Sequence, residues 1–455
     1  MNEVEFMFYT VNSLISSVIW GPPMLAVFLG TGFFLSVRTG FFQITGIRKW
    51  ISLTVVDAYR KRKEPPKNDG SVSQFAALTS ALAACLGTGN ITGVATALFA
   101  GGAGAVFWMW ISAILGMMTC CCENILGIKY RIRDSFGHWL GGPMLYIERG
   151  LKKPKLSKIY AFLLIGASLG MGNMTQANSV SAGLEVFGIA PLLSAFILAP
   201  LVFICISGGL KRISALSQKL IPLLSCVFLI LCLVVIVSNR HSLLPSFIRI
   251  FRDAFSPRAV SGFGLAKAAR YGISRGVFSN EAGLGSNTVI HANADCDQPA
   301  VQGMWGIFEV AFDTLFMCTV TAITILASGV WSPSGSLNGI ALCSAAFESV
   351  LGKSGGIILG ICICLFAFAT LVAWSFYGKS AAVCLFGDRS GVYYNIIYAA
   401  ATFIGCVAKL DVIWNISDIF NGLLAIPNIY AILKLSGEAI SELNKTKDPR
   451  QCRRS

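Results

Sequence analysis

The chain has 455 residues, of which 55% are hydrophobic and only 13% are Asp, Glu, Lys or Arg. Soluble globular proteins carry roughly 25% charged residues, and half that share cannot cover a water-facing surface. With a mean hydropathy of +0.69, this composition excludes an ordinary soluble enzyme, a disordered hub and a secreted disulfide scaffold, and predicts an all-α integral membrane protein. The formal net charge is +14, from 36 basic and 22 acidic residues. The basic residues cluster in short polar gaps between apolar runs, where the positive-inside rule places them. Membrane lipid is therefore the expected partner, and nucleic acid is not.

In chain order, residues 6–37 carry no charge and lack a basic leader. The run is too long for a signal peptide, so it predicts a retained first helix. A basic stretch follows, with Arg38, Arg48, Lys49, Arg60, Lys61, Arg62, Lys63 and Lys67. The uncharged run 70–122 suffices for two crossings, divided at Gly101-Gly102-Ala103-Gly104. The runs 159–184, 186–210, 220–239, 314–347, 354–378 and 390–408 each meet the length of about 20 apolar residues that a crossing needs. Two further segments, 263–290 (rich in Gly and Ser) and 412–433 (interrupted by Asp418), bring the expectation to eleven helices.

An odd number of crossings puts the termini on opposite sides of the cell membrane. Placing the basic stretch after the first helix, the one from Lys129 to Lys158 and the C-terminal tail inside puts the N-terminus outside and the C-terminus in the cytoplasm. Arg240, Arg249, Arg252 and Arg258 then face outward, against the trend. The expected organisation is an extra N-terminal helix and basic loop (1–70), two five-helix units (71–240 and 241–437) and a basic tail (438–455).

The second expected helix contains Gly87-Thr88-Gly89-Asn90-Ile91-Thr92-Gly93. Glycine destabilises a helix interior by about 1 kcal/mol relative to alanine. Such a run serves either close helix packing or an unwound turn whose freed N–H and C=O groups hold an anion or a cation. A second Gly-interrupted polar stretch, Phe278-Ser279-Asn280-Glu281-Ala282-Gly283-Leu284-Gly285-Ser286, opens the second five-helix unit. Broken helices at corresponding places in two halves point to a secondary transporter with an inverted repeat, and this favours the unwound reading.

Other polar side chains lie at expected membrane depth. The fourth helix carries Asn173, Gln176, Asn178 and Ser179. Glu309 and Asp313 form an i,i+4 acidic pair entering the eighth; they read either as a cation or proton path or as a structural pair with a basic neighbour. Thr370, Trp374 and Tyr377 share the ninth, where a hydroxyl can meet a cation and an aromatic ring can wall a pocket. Glu123 is expected to anchor the third helix near the cytoplasmic loop. Cys120-Cys121-Cys122 point about 100° apart on a helix and do not converge on one metal. Most of the remaining cysteines lie in apolar runs and act as small hydrophobes. The three histidines are too far apart in sequence to suggest a site. Gly87-x-Gly89 with Gly93 has the wrong spacing for a dinucleotide loop, and Gly352-Lys353-Ser354 and Gly378-Lys379-Ser380 lack the first glycine of a phosphate loop. No nucleotide and no organic cofactor are expected.

GTGNITGVATALFAGGAGAVFWMWISAILGM (87–117), GGPMLYIERGL (141–151), GNMTQANS (172–179) and RGVFSNEAGLGSNTVIHANA (275–294) resemble the alanine-or-glycine:cation symporter family. So do QGMWGIFEVAFDT (302–314), FAFATLVAWSFYG (366–378) and IPNIYAILKLSG (426–437). The resemblance covers about residues 70–437. It implies sodium-coupled symport of a small neutral amino acid, alanine or possibly glycine. It also implies the LeuT-like five-plus-five inverted repeat with one extra N-terminal helix. By this resemblance Thr88 and Gly89 meet the substrate carboxylate, Gln176 adds a polar contact, and Phe278 and Trp374 wall a methyl-sized pocket. Sodium, the coupling ion, takes the carbonyls of Ala83 and Leu86 and the hydroxyl of Thr370. Ala369 departs from the pattern, standing where a second hydroxyl is expected beside Thr370, which leaves proton coupling as the alternative, with Glu309 and Asp313 as its acids. A channel needs a continuous polar face and a membrane enzyme needs a nucleophile–base pair; neither is legible.

Overall fold

The computed structural model describes residues 19–60, 70–185, 187–255, 264–408 and 410–446. The beginning of the expected first helix, part of the first basic loop, Arg258 and the last residues of the basic tail lie outside these. Nearly all described residues are helical. The exception to the all-α expectation is a small antiparallel pair, Ile132–Arg133 with Trp139–Leu140.

Helix α1 (Pro22–Thr39) is followed by short helical pieces from Phe42–Thr45 to Asp57–Arg60. Helix α2 (Gln74–Cys85) starts at Ser73, whose hydroxyl accepts the Ala76 N–H, the usual N-cap bond. A single tight turn, Thr88–Asn90, joins it to α3 (Thr92–Gly101), and the two helices bend by 62°. Helix α4 (Gly104–Tyr130) begins where the Gly101–Gly104 divider predicts. Next come α5 (Pro154–Leu169), which passes through a π-helical turn into α6 (Thr175–Glu185), then α7 (Pro191–Ser207) and α8 (Gly209–Ser238).

The second half runs α9 (Leu243–Ala254), α10 (Gly264–Asn280), α11 (Thr288–His291), α12 (Pro299–Val310), which a π-helical stretch joins to α13 (Thr319–Ala327), α14 (Gly339–Leu351), α15 (Lys353–Phe386), α16 (Ser390–Val407) and α17 (Leu410–Lys445). The expected single run 314–347 is in fact two elements. Ser328, Gly329, Pro333, Gly335 and Asn338 break it into the end of α13 and a separate short α14, because these residues favour turns over helix. The expected segment 263–290 likewise splits at Asn280 into α10, an irregular stretch 281–287 and α11.

Six helices among the described residues are long and apolar enough to cross a membrane, or seven with the bent α2–α3 pair counted as one span. The expected first helix begins outside the described residues, and two of the other expected spans are short or charged. Helix α7 has only 17 residues, and α10 carries Lys267, Arg270 and Arg275. Polarity is inverted relative to a soluble protein. Phe162, Leu192, Phe196, Ile204, Leu223, Ile230, Val392 and Ile396 face outward, while Glu123, Glu281, His291, Glu309 and Asp313 are buried. That distribution suits a chain whose solvent is lipid.

Of the arginines that broke the charge rule, Arg249 and Arg252 belong to α9 and Arg240 stands in the short turn before it. Phe251 of α9 packs against Phe107 and Trp110 of α4, while Arg249 pairs with Asp253 at 3.6 Å and stacks 4.4 Å above Trp331. These side chains mark a helix with one apolar and one basic face, so Arg249 does not belong to a spanning segment.

Candidate functional site at the two helix breaks

The first break begins where the α2 hydrogen-bond ladder stops. The Gly87 N–H turns back to the Cys85 carbonyl at 2.8 Å rather than to Ala83, four residues earlier, and so frees the Ala83 carbonyl. The hydroxyl of Thr370 on α15 donates to that carbonyl at 2.9 Å. Leu86 ends α2 with ψ 72, outside the helical range, so its own carbonyl leaves the helix direction. Glycine is required at 87, because a Cβ there lies 2.7 Å from Thr370 Oγ1. Two of the three expected sodium contacts therefore meet directly, and Leu86 stands at the same turn. Ala369, the missing hydroxyl, is buried beside Thr370.

Of the expected amino-acid residues, Phe278 packs on the same turn and Trp374 lies one helical turn beyond Thr370 on α15. Phe278 on α10 faces Gly89, at 3.8 Å from the position of a Cβ on that glycine. Trp374, one turn beyond Thr370, is fully buried and packs on Gly172 and, edge to face, on Tyr377 with ring centroids 5.0 Å apart. Gln176 lies one helical turn from Gly172 and donates to the Met171 carbonyl at 3.2 Å. Thr88 Oγ1 and Gln176 Oε1 are buried without a hydrogen-bond partner. An unpaired buried polar atom costs about 1–3 kcal/mol, so these atoms are suited to a polar cargo.

The second break uses positive backbone φ angles at Glu281 (56°), Gly283 (95°) and Gly285 (77°). Glycine adopts such angles without a steric penalty; for Glu281 they are unfavourable and its surroundings hold it. Its carboxylate takes the Ser286 hydroxyl and faces the Trp374 indole. Glu123 is not the loop anchor that was expected. Helix α4 continues two turns past it, and Glu123 accepts the Gly283 N–H at 3.0 Å and the Asn428 amide at 2.6 Å. Asn428 also donates to the Gly283 carbonyl at 2.9 Å, and Tyr160 to the Leu284 carbonyl at 2.7 Å. Glu123, Asn428 and Tyr160 come from outside the break, and Ser286 from within it.

Asp313 ties the two breaks together. One of its carboxylate oxygens accepts the Asn90 amide at 2.7 Å, and the other accepts the hydroxyls of Ser279 at 2.8 Å and Thr314 at 2.7 Å. Glu309, four residues before it, faces elsewhere: its Oε2 lies 2.8 Å from His291 Nε2, and Cys85 Sγ donates to its Oε1 at 3.6 Å. The acidic pair thus separates into two sites. His291, which spacing did not single out, sits in one of them.

Paired helix breaks that face each other inside a lipid-exposed helical bundle define a membrane transporter. MhsT, solved in complex with L-phenylalanine, shares the fold, with a TM-score of 0.62 at 14% identity over 84% of this chain and 95% of that one. The chain belongs to the sodium:alanine symporter family, whose profile matches residues 5–454. The sodium/alanine symporter AgcS of Methanococcus maripaludis is 39% identical over 442 residues, 96% of both chains. The probable sodium/glutamine symporter GlnT of Bacillus subtilis is 35% identical over 94% of this chain and 88% of its own length. The protein is accordingly a multi-pass membrane protein of amino-acid transport by symport.

Proposed function

We propose that the chain carries a small neutral amino acid, alanine or glycine, into the cell together with sodium by alternating access. In this reading eleven helices cross the cell membrane, an extra first helix followed by inverted units at 71–240 and 241–437. The N-terminus faces outward and the 438–455 tail lies in the cytoplasm. Thr88, Gly89 and Gln176 receive the amino acid's polar groups, and Phe278 and Trp374 limit its side chain. Sodium sits among the Ala83 and Leu86 carbonyls and the Thr370 hydroxyl. A charge moving inward through 100 mV supplies about 2.3 kcal/mol toward accumulation.

The observation that carries this reading is the Thr370 hydroxyl on the carbonyl freed at Ala83. In family terms these two groups belong to one ion site, and here they meet across the gap between α2 and α15. The relatives named for sodium, alanine and glutamine support the same class of cargo. The test is equilibrium binding of radiolabelled alanine to the purified protein in sodium and in equimolar potassium, with unlabelled glutamine as competitor. Binding that requires sodium and yields little to glutamine is expected. Equal binding in potassium contradicts the sodium assignment, and stronger competition by glutamine contradicts the small-substrate assignment.

A further inference from the structure

We propose that Arg252 of α9 and Arg240 in the turn before it bind the headgroup of an anionic phospholipid, whose acyl chains lie along the exposed apolar stripe of the same helix. This lipid site is separate from the amino-acid and sodium sites; only its assignment to the outer leaflet rests on the orientation proposed above.

The first support is where α9 sits. The apolar helix α8, long enough to span, ends at Ser238, and Arg240 follows two residues later. At the far end of α9, the backbone of Asp253 and Ala254 packs on Gly104, where the spanning helix α4 begins; a Cβ on that glycine lies 2.6 Å from the Ala254 nitrogen. The helix therefore connects the ends of two spans, the depth at which headgroups stand. Aromatic rings gather at the same level. Phe251 and Phe255 meet Phe107 with centroids 5.8 and 4.9 Å apart, Phe255 also meets Trp108, and Trp331 lies against Arg249. Tryptophan favours the boundary between acyl chains and water.

The second support is the order of side chains around α9. Ser246, Ile250 and Ala254 are buried against the protein. Leu244, Ile248, Phe251 and Phe255 are 49–69% exposed. At 3.6 residues per turn the first three fall within about 60° of one another. Such a stripe is favourable against acyl chains and costly against water. Arg252 follows about 40° beyond Ile248, and Arg249 about 100° beyond it. The guanidinium edge thus borders the stripe, and an arginine stem is long enough to lie on acyl chains while its head meets a phosphate.

The third support is charge. From Val237 to Phe255 the chain has Arg240, Arg249 and Arg252 against one acid, Asp253. That acid pairs with Arg249. Arg240 and Arg252 are exposed, and among the described residues no acid lies within ion-pair distance of either. Guanidinium groups meet phosphate oxygens with paired N–H donors. A free phosphate satisfies the arginines and leaves the stripe uncovered, whereas a phospholipid satisfies both. The site also reaches the first break: Trp331, stacked on Arg249, donates to the Leu98 carbonyl of α3 at 3.1 Å.

The test uses the purified full chain, stripped of lipid in a non-ionic detergent. It is titrated with dioleoylphosphatidylglycerol or dioleoylphosphatidylcholine, and bound lipid is counted by native mass spectrometry. Phosphatidylglycerol is expected to bind at lower concentration than phosphatidylcholine. Arg240→Gln and Arg252→Gln should each weaken it about fivefold, the effect of one basic residue at an anionic surface. Arg252→Lys should retain most of the affinity, and Ile248→Ser should weaken both lipids. Because both arginines are exposed, the Gln variants should melt like the wild type in phosphatidylcholine, which separates lost binding from lost folding. Equal binding of the two lipids, or a preference that survives in the double Gln variant, overturns the proposal. Displacement of the lipid by millimolar inorganic phosphate also overturns it, since the site would then be one for a free anion. No step requires sodium or an amino acid, so a chain that does not carry alanine still gives a decisive result.

Discussion

The first break, around residues 86–91, carries no ionisable side chain of its own and meets one, Asp313, through Asn90, whereas the second, 281–287, contains Glu281 and meets Glu123, with His291 and Glu309 a turn away. At the first, backbone groups freed by Gly87 turn to one hydroxyl, Thr370, and the nearby Thr88 hydroxyl has no partner. At the second, Glu123, Asn428 and Tyr160 meet the freed backbone groups, and Ser286 meets the Glu281 carboxylate. The contrast teaches that similar glycine interruptions do different work. The first leaves the Thr88 hydroxyl unmet and is suited to cargo, while in the second the freed Gly283 and Leu284 groups are met by protein side chains, one Glu281 oxygen staying unmet, and it is suited to setting its shape and holding charge.

Removing Glu123 is expected to have the largest effect. Glu123→Ala strands the Gly283 N–H and the Asn428 amide in a dry interior, at about 2–3 kcal/mol for hydrogen bonds to a carboxylate. The melting temperature in detergent should fall, and transport should be lost. A variant that melts like the wild type would erase the distinction between the two breaks. Thr370→Val comes next. It keeps the shape and deletes the hydroxyl, so half-saturation by sodium should rise about tenfold, or about 1.4 kcal/mol, with little change in melting. An unchanged sodium dependence would take Thr370 out of the ion site. Trp374→Ala is read on selectivity, apart from the stability it loses as a fully buried side chain. It should narrow the preference for alanine over an analogue one methylene longer, a distinction worth about 1–3 kcal/mol in an apolar pocket. Unaltered selectivity would place the size limit elsewhere.

Both breaks were legible because glycine and asparagine stand out in otherwise uncharged apolar runs, and the turn at Gly101–Gly104 was legible for the same reason. Lys129 and Arg131 follow Glu123 closely and suggest a loop there; the helix in fact continues to Tyr130. The signal available was its i,i+4 distance from Gly127 within a still-apolar stretch. His291 escaped notice because its partner Glu309 is 18 residues away and joins it only when the chain folds back through residues 292–298. The run 314–347 reads as one helix because it holds no charge until Glu348. Charge counting does not see Pro333 and Gly335, which are turn residues without charge. The separation of Glu309 from Asp313 was also hidden. An i,i+4 rule assumes regular α-helix, and the π-helical stretch from Ala311 to Cys318 turns the two carboxylates toward different neighbours.

The central claim is that the first break binds sodium and a small amino acid together. The most direct test is radiolabelled alanine uptake into proteoliposomes under an inward sodium gradient, compared with an equimolar potassium gradient. The account predicts accumulation above equilibrium with sodium only, reduced in Thr370→Val and restored by raising sodium. Equal uptake under potassium, or sodium-driven uptake indifferent to Thr370, would contradict it.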